Sequence, residues 1–355
     1  MSNSHRRTAH GRSRRWRLLL GGGKLLLAVG ILAFLFYRLR GEDAFHRWLH
    51  EPKHWGRLAA AQALVLAAIC NNYTRWWMLG RALKLNFHLR DAFRLGSLGL
   101  LLNQVAPGSV GGDLFKAVAV AREQHGKRTE AVASVVVDRV VGLYAMLLVA
   151  SAGYLFGAAD EGLGRMVHGL ARAVIVLGLI GTIGLGLLMW PAFTGPAVRG
   201  WAARLPVVGE TLDRLIGAAA AYRTRRRYLF IAITMSCVTH MLFVTSFWLI
   251  GTGLPMDAPT LATTFVIGPL SLAAGAIPLT PSGLGTFEAA MDELYRAVGC
   301  RRGDGLLVAV NYRLMTYVMA AVGAVYYLAA RKRFRDIMAE SAEPGPASGM
   351  RQSPP

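Results

Sequence analysis

Cysteine and acidic residues are scarce in this 355-residue chain. Three cysteines, Cys70, Cys237 and Cys300, form no C-x-x-C pair, which excludes a disulfide framework and a zinc site. Asp and Glu number 20 against 40 Lys and Arg, and all charged residues together make up only 17% of the chain. That is too little charge to solvate a soluble domain whose composition is 54% hydrophobic. Catalytic signatures are missing as well: there is no nucleophile elbow and no H-E-x-x-H. Gly21-Gly22-Gly23-Lys24 lacks the G-x-x-x-x-G-K-[ST] frame of a phosphate loop and sits inside an apolar run. His46, His50 and His54 are spaced like a metal-binding face, but Pro52 interrupts it and no carboxylate accompanies them in order. No catalytic residue, metal or cofactor is therefore expected.

What is present is long apolar sequence, with a mean hydropathy of +0.38. A helix crosses a bilayer with about 20 apolar residues. Six segments qualify, at about 17–38, 57–79, 131–157, 168–191, 228–251 and 306–330. The first follows a basic stretch (1–16), but it is too long for a signal peptide and has no cleavage site, so it reads as a retained span. Two further apolar segments are broken. One, about 92–112, ends in Pro107 and a glycine cluster; the other, about 259–285, is interrupted by Gly268-Pro269 and Pro278 before Pro281. Broken backbone at membrane depth is tolerated where protein or a water-filled cavity covers it, so both read as re-entrant hairpins.

The net charge of +20 could point to nucleic acid, but no aromatic platform or DNA-binding motif accompanies it. The basic residues gather between apolar segments instead, at 81–94, 122–128, 223–227 and 331–335. With six crossings and the N-terminus inside, these loops all fall on the cytoplasmic side, as the positive-inside rule requires. They would meet anionic phospholipid there. The one exception is 39–56, which falls outside yet holds Arg40, Arg47 and Lys53. The expected fold is an all-α polytopic membrane protein of two inverted-topology halves. Repeat 1 covers 17–157 and repeat 2 covers 168–330, and 336–355 forms a disordered cytoplasmic tail. Inverted repeats with broken helices are a transporter plan.

Two arginines lie deep in spans. Thirty-two residues separate Pro107 from Arg139, and thirty-two separate Pro281 from Arg313. Each arginine is about 12–14 Å into its helix at 1.5 Å per residue. A guanidinium at mid-membrane costs roughly 2.5–3.5 kcal/mol on insertion scales. It stays charged and grips two oxygens at once, so a phosphate-bearing headgroup suits it. A structural lock with a carboxylate is the alternative. Adjacent Asp138 is a structural partner, but helix neighbours do not face each other, so Arg139 must pair elsewhere. Asn103, Asn311 and Tyr312 are polar groups in apolar surroundings, expected either to touch substrate or to bond between helices. Gly111, Gly112 and Asp113, with Gly283, Gly285 and Glu288, turn the chain out of each hairpin and form the expected gates with Pro107 and Pro281.

These same residues carry a resemblance. Asn103-x-x-x-Pro107, Gly111-Gly112-Asp113 and Asp138-Arg139-x-x-Gly142 resemble the first signature of the flippase-like lysylphosphatidylglycerol synthase transmembrane family. Pro278-x-x-Pro281-x-Gly283-x-Gly285-Thr286-x-Glu288, followed by Tyr312-Arg313, is similar to its second signature, with Ser282-Gly283 where a Gly-Gly pair is more usual. In two-domain members a soluble aminoacyl-transfer domain follows the membrane part. About 20 residues follow the last span here, so the expectation is a stand-alone membrane domain and not an enzyme. The resemblance implies a lipid translocase of a bacterial-type inner membrane, with both termini cytoplasmic. The alternatives are a lipid-carrier transferase, or a non-transporting partner of a lipid-synthesis enzyme; a homo-oligomer is also open.

Overall fold

A computed structural model describes residues 37, 43–105, 111–124, 126–158, 163–190, 195, 200, 209–277, 280 and 283–329. The expected first span, the disordered tail, Pro107 and Pro281 lie outside the described residues.

Every regular element among the described residues is a helix. In chain order they are α1 (Asp43–His50), α2 (Trp55–Ala82), α3 (Leu89–Val105), α4 (Gly111–Glu123), α5 (Arg128–Gly153), α6 (Arg165–Met189), α7 (Gly209–Tyr222), α8 (Arg226–Gly253), α9 (Leu261–Ala276), α10 (Thr286–Ala297) and α11 (Asp304–Ala329). A π turn, Tyr154–Ala158, extends α5. Among the described residues, four stretches are long and apolar enough to cross a membrane: Arg128–Gly157, Arg165–Met189, Ile216–Gly253 and Asp304–Val325. α2 has the length, at 28 residues, but carries Arg57, Asn71, Asn72 and Arg75. Two expectations change. The connection between the expected spans at about 168–191 and 228–251 contains α7, and Gly268-Pro269 does not break its segment, because α9 runs through Pro269 to Ala276. The missing proline amide removes one helical bond. Burial of Val266, Ile267 and Pro269 on the core face of α9 offsets that loss.

Helix lengths repeat along the chain. α2, α3, α4 and α5 have 28, 17, 13 and 26 residues, and α8, α9, α10 and α11 have 28, 16, 12 and 26. The packing repeats with them. α3 packs on α11 as α9 packs on α5, α4 lies on α5 as α10 lies on α11, and α1 touches α11 as α7 touches α5. α2 and α8 share the most extensive interface. They run antiparallel. The His54 amide donates to Gly253 O at 2.9 Å at one end, Asn71 Nδ2 to Met235 O at 2.7 Å in the middle, and the Tyr222 hydroxyl to Leu79 O at 2.8 Å at the other end.

Local chemistry fixes the joints. Thr260 caps α9, accepting from the Thr263 amide at 3.1 Å. Asp292 of α10 accepts from the amides of Gly303 at 2.8 Å and Leu306 at 3.3 Å, which are donors at the start of α11. Among the described residues, the two larger apolar clusters surround Phe247, Ile267, Phe287, Met291 and Tyr295, and Trp76, Leu79, Phe87, Val120 and Tyr222.

Candidate functional site

Each hairpin closes on itself before it meets its arginine. In the first, Asn103 Oδ1 accepts from the Gly112 amide at 2.8 Å, tying the end of α3 to the start of α4. A Cβ at Gly112 would lie 2.1 Å from Gly99 O, so only glycine permits this approach. In the second, a Cβ at Gly283 would lie 2.2 Å from Gly275 O, and Gly283 has φ +65°, a left-handed conformation that favours glycine. The close approach therefore exists here too, without the usual Gly-Gly pair.

The helix that leaves each hairpin offers a carboxylate to the arginine of the following long helix. Asp113, in the first turn of α4, is buried and ion-paired to Arg139. It also holds Lys116 at 3.0 Å, and the Lys116 ammonium lies 5.4 Å from the centre of the Trp76 ring. Burial alone would raise the Asp113 carboxyl, but the charges of Lys116 and Arg139 outweigh it and hold the pKa below its ordinary value. Two cations thus share one carboxylate, and the Arg139 side chain remains 49% exposed.

The second centre is more enclosed. Glu288 is fully buried and ion-paired through Oε1 to Arg313, while its Oε2 accepts from the Gly285 amide at 2.7 Å. Arg313 also donates to Gly283 O at 3.4 Å and lies over the Phe287 ring, with its side chain only 13% exposed. Beside it is a cavity of about 240 Å³, lined by Leu100 of α3, Leu272, Gly275 and Ala276 of α9, Phe287 of α10, and Tyr312, Arg313 and Thr316 of α11. Both hairpins contribute to its wall. Tyr312 stands edge-on to Phe247, with ring centres 4.8 Å apart.

The sequence-predicted residues divide accordingly. Arg139 meets Asp113, and Arg313 meets Glu288 and shares its cavity with Tyr312. Asn311 turns away, donating to Leu307 O of its own helix at 2.8 Å. Asn103 serves the hairpin, and Gly111 begins α4. Asp138 belongs to a third cluster that sequence reasoning missed. Arg75 of α2 donates from Nε to Asp138 Oδ1 at 2.9 Å, from Nη2 to Asp138 O at 3.2 Å, and from Nη1 to the Ser236 hydroxyl of α8 at 2.5 Å. All three residues are buried. The signal was there, since Arg75 follows Asn71, Asn72 and Thr74 within an apolar run. Arg47, the apparent violation of sidedness, donates to Pro255 O at 3.1 Å and to the buried Asp304 at 3.2 Å. It therefore acts as a strut between α1 and α11.

Each centre thus sets a guanidinium, which can bond two oxygens at once, against an internal carboxylate. No curated protein and no solved structure matches the chain. A family model described as the lysylphosphatidylglycerol synthase TM region matches residues 13–323. With most of its length covered by that match, the chain belongs to the lysylphosphatidylglycerol synthase transmembrane family and is a multi-pass membrane protein with a lipid-related role.

Proposed function

We propose that the protein is a lipid translocase that moves an anionic or phosphate-bearing lipid between the leaflets of a bacterial-type inner membrane, and that it is not an enzyme. The observation that carries this reading is the pair of matching hairpin–arginine centres, with a headgroup-sized cavity beside Arg313 where the two hairpins meet. An arriving headgroup phosphate takes the place of the carboxylate on the guanidinium, which offers the same fork of donors to either partner. Departure of the lipid restores the internal ion pair, so neither arginine is left uncompensated in hydrocarbon.

Antiparallel α2 and α8 support an inverted arrangement. A two-fold exchange that swaps antiparallel helices has its axis perpendicular to them, hence in the membrane plane for spanning helices. On this reading six full spans and two re-entrant hairpins place both termini in the cytoplasm. The basic ends of α2, α4 and α8 then lie together on that side. Lys127 Nζ donates to Lys84 O at 2.8 Å, and Gln124 and Asn86 exchange bonds of 2.8 and 2.9 Å. Anionic phospholipid is the partner such a rim would meet.

The test is headgroup transfer in proteoliposomes carrying fluorescent lipids, read with a quencher that cannot cross the bilayer. Arg139→Glu places a carboxylate beside Asp113 and should abolish transfer of anionic lipid. Undiminished transfer by that variant, with normal reconstitution, rejects the proposal.

A further inference from the structure

The two centres differ in what else their carboxylates hold. Lys116 stands one turn after Asp113 on α4 and bonds Asp113 Oδ1 at 3.0 Å, while Arg139 holds Oδ2. Each cation thus has an oxygen of its own. Lys116 is also walled in. Its stem crosses α3 at Gly99, where a Cβ would lie 2.8 Å from Lys116 Cε, and its ammonium lies 5.4 Å from the centre of the buried Trp76 ring. The Lys116 side chain is 12% exposed against 49% for Arg139, so the guanidinium is the group a ligand reaches first. At the corresponding place in the second centre, one turn after Glu288, stands the fully buried Met291. There the second carboxylate oxygen is bonded to the Gly285 amide.

We propose that Lys116 is a positioning residue for headgroup capture: it keeps Asp113 paired while Arg139 turns to a phosphate. This rests on the reading above, in which the headgroup displaces the carboxylate from its arginine. Without Lys116, each capture at Arg139 would strand a buried carboxylate next to an arriving anion. With it, Asp113 and Lys116 remain a neutral pair as the guanidinium and phosphate form another. Lys116 acts through Asp113 and touches no headgroup itself. Glu288 keeps only an amide when Arg313 moves to a ligand, so capture costs less at the first centre than at the second.

Saturation of binding and of transfer, measured separately, tests the role. Purified protein in neutral detergent is titrated with short-chain fluorescent phosphatidylglycerol, an anionic phosphodiester, and binding is read by polarisation. The same protein in phosphatidylcholine vesicles is assayed for transfer over a range of that lipid. Lys116→Met keeps the apolar stem and loses the charge. It should raise the half-saturating concentration in both assays by at least about tenfold, with the maximal transfer rate close to that of the unaltered protein. Lys116→Arg should recover most of that loss, and Lys116→Gln replaces Lys116→Met if that variant fails to fold. A lysine that only fastened α4 would lower Tm and leave half-saturation where it was. That result, or a Lys116→Arg variant as weak as Lys116→Met, would overturn the proposal. Binding without transfer by the unaltered protein rejects the translocase reading and leaves the binding comparison to decide the part played by Lys116. No binding by the unaltered protein overturns both.

Discussion

Neutralising the two arginines one at a time should have unequal effects, and the inequality follows from burial. Arg313→Gln leaves the carboxylate of Glu288, fully buried, with the Gly285 amide at 2.7 Å but no cation. Breaking one partner of a buried pair costs about 3–5 kcal/mol, which at about 2–4 °C per kcal/mol lowers Tm by about 6–20 °C. Arg139→Gln is milder. Asp113 keeps Lys116 at 3.0 Å, and the side chain lost was 49% exposed. With a cation still on the carboxylate no buried charge is stranded, and the shift in Tm should be clearly smaller than that of Arg313→Gln. Adding Glu288→Gln to Arg313→Gln removes the stranded charge, and most of the lost stability should return, since a neutral replacement of both partners is often tolerated. Thermal unfolding of purified protein in detergent, followed by intrinsic tryptophan fluorescence, measures all three. Equal shifts for the two single variants, or a double variant no more stable than Arg313→Gln, would refute the reasoning.

Two further outcomes follow from other sites. Asp138→Asn should destabilise the protein by about 3–5 kcal/mol, because the buried Arg75 guanidinium is left with neutral acceptors and no carboxylate, and pairing it with Arg75→Met should restore most of the loss in the same unfolding assay. At Cys300, burial and then the negative charges of Asp304 and Asp257 push the thiol up to about 11. In a Cys70→Ser, Cys237→Ser background, maleimide labelling should therefore still climb about tenfold per pH unit between pH 8 and 10, as the thiolate fraction does below its pKa. A plateau near pH 9 would mean an ordinary thiol.

Most of the long helices were legible in the sequence because an apolar run of spanning length has few other uses, and the breaks between α3 and α4 and between α9 and α10 were legible because proline and glycine mark them. Arg139 and Arg313 stood out for the same reason, being charges where none is cheap. Their partners did not. Asp113 and Glu288 read as turn residues, since the hairpin brings each to an arginine 26 and 25 residues further on, a distance set by how α4 and α10 lie on α5 and α11. Arg75 and Asp138 are 63 residues apart and meet because α2 and α5 pack on each other and on α8. Polar residues placed near the end of a presumed span look like a boundary until a third helix covers them. α7 escaped notice because it lies within a segment read as a basic loop.

Among the described helices, the antiparallel contact of α2 with α8 joins two helices of equal length that hold corresponding places in the chain. On the inverted reading proposed above, the two flanks of that contact would be equivalent. Arg75 spoils that evenness, since its charge reaches Asp138 on one flank, whereas the matching position on the other flank is Tyr312 among phenylalanines. The two flanks of the α2–α8 contact are therefore held differently, one by an ion pair and the other by packed rings.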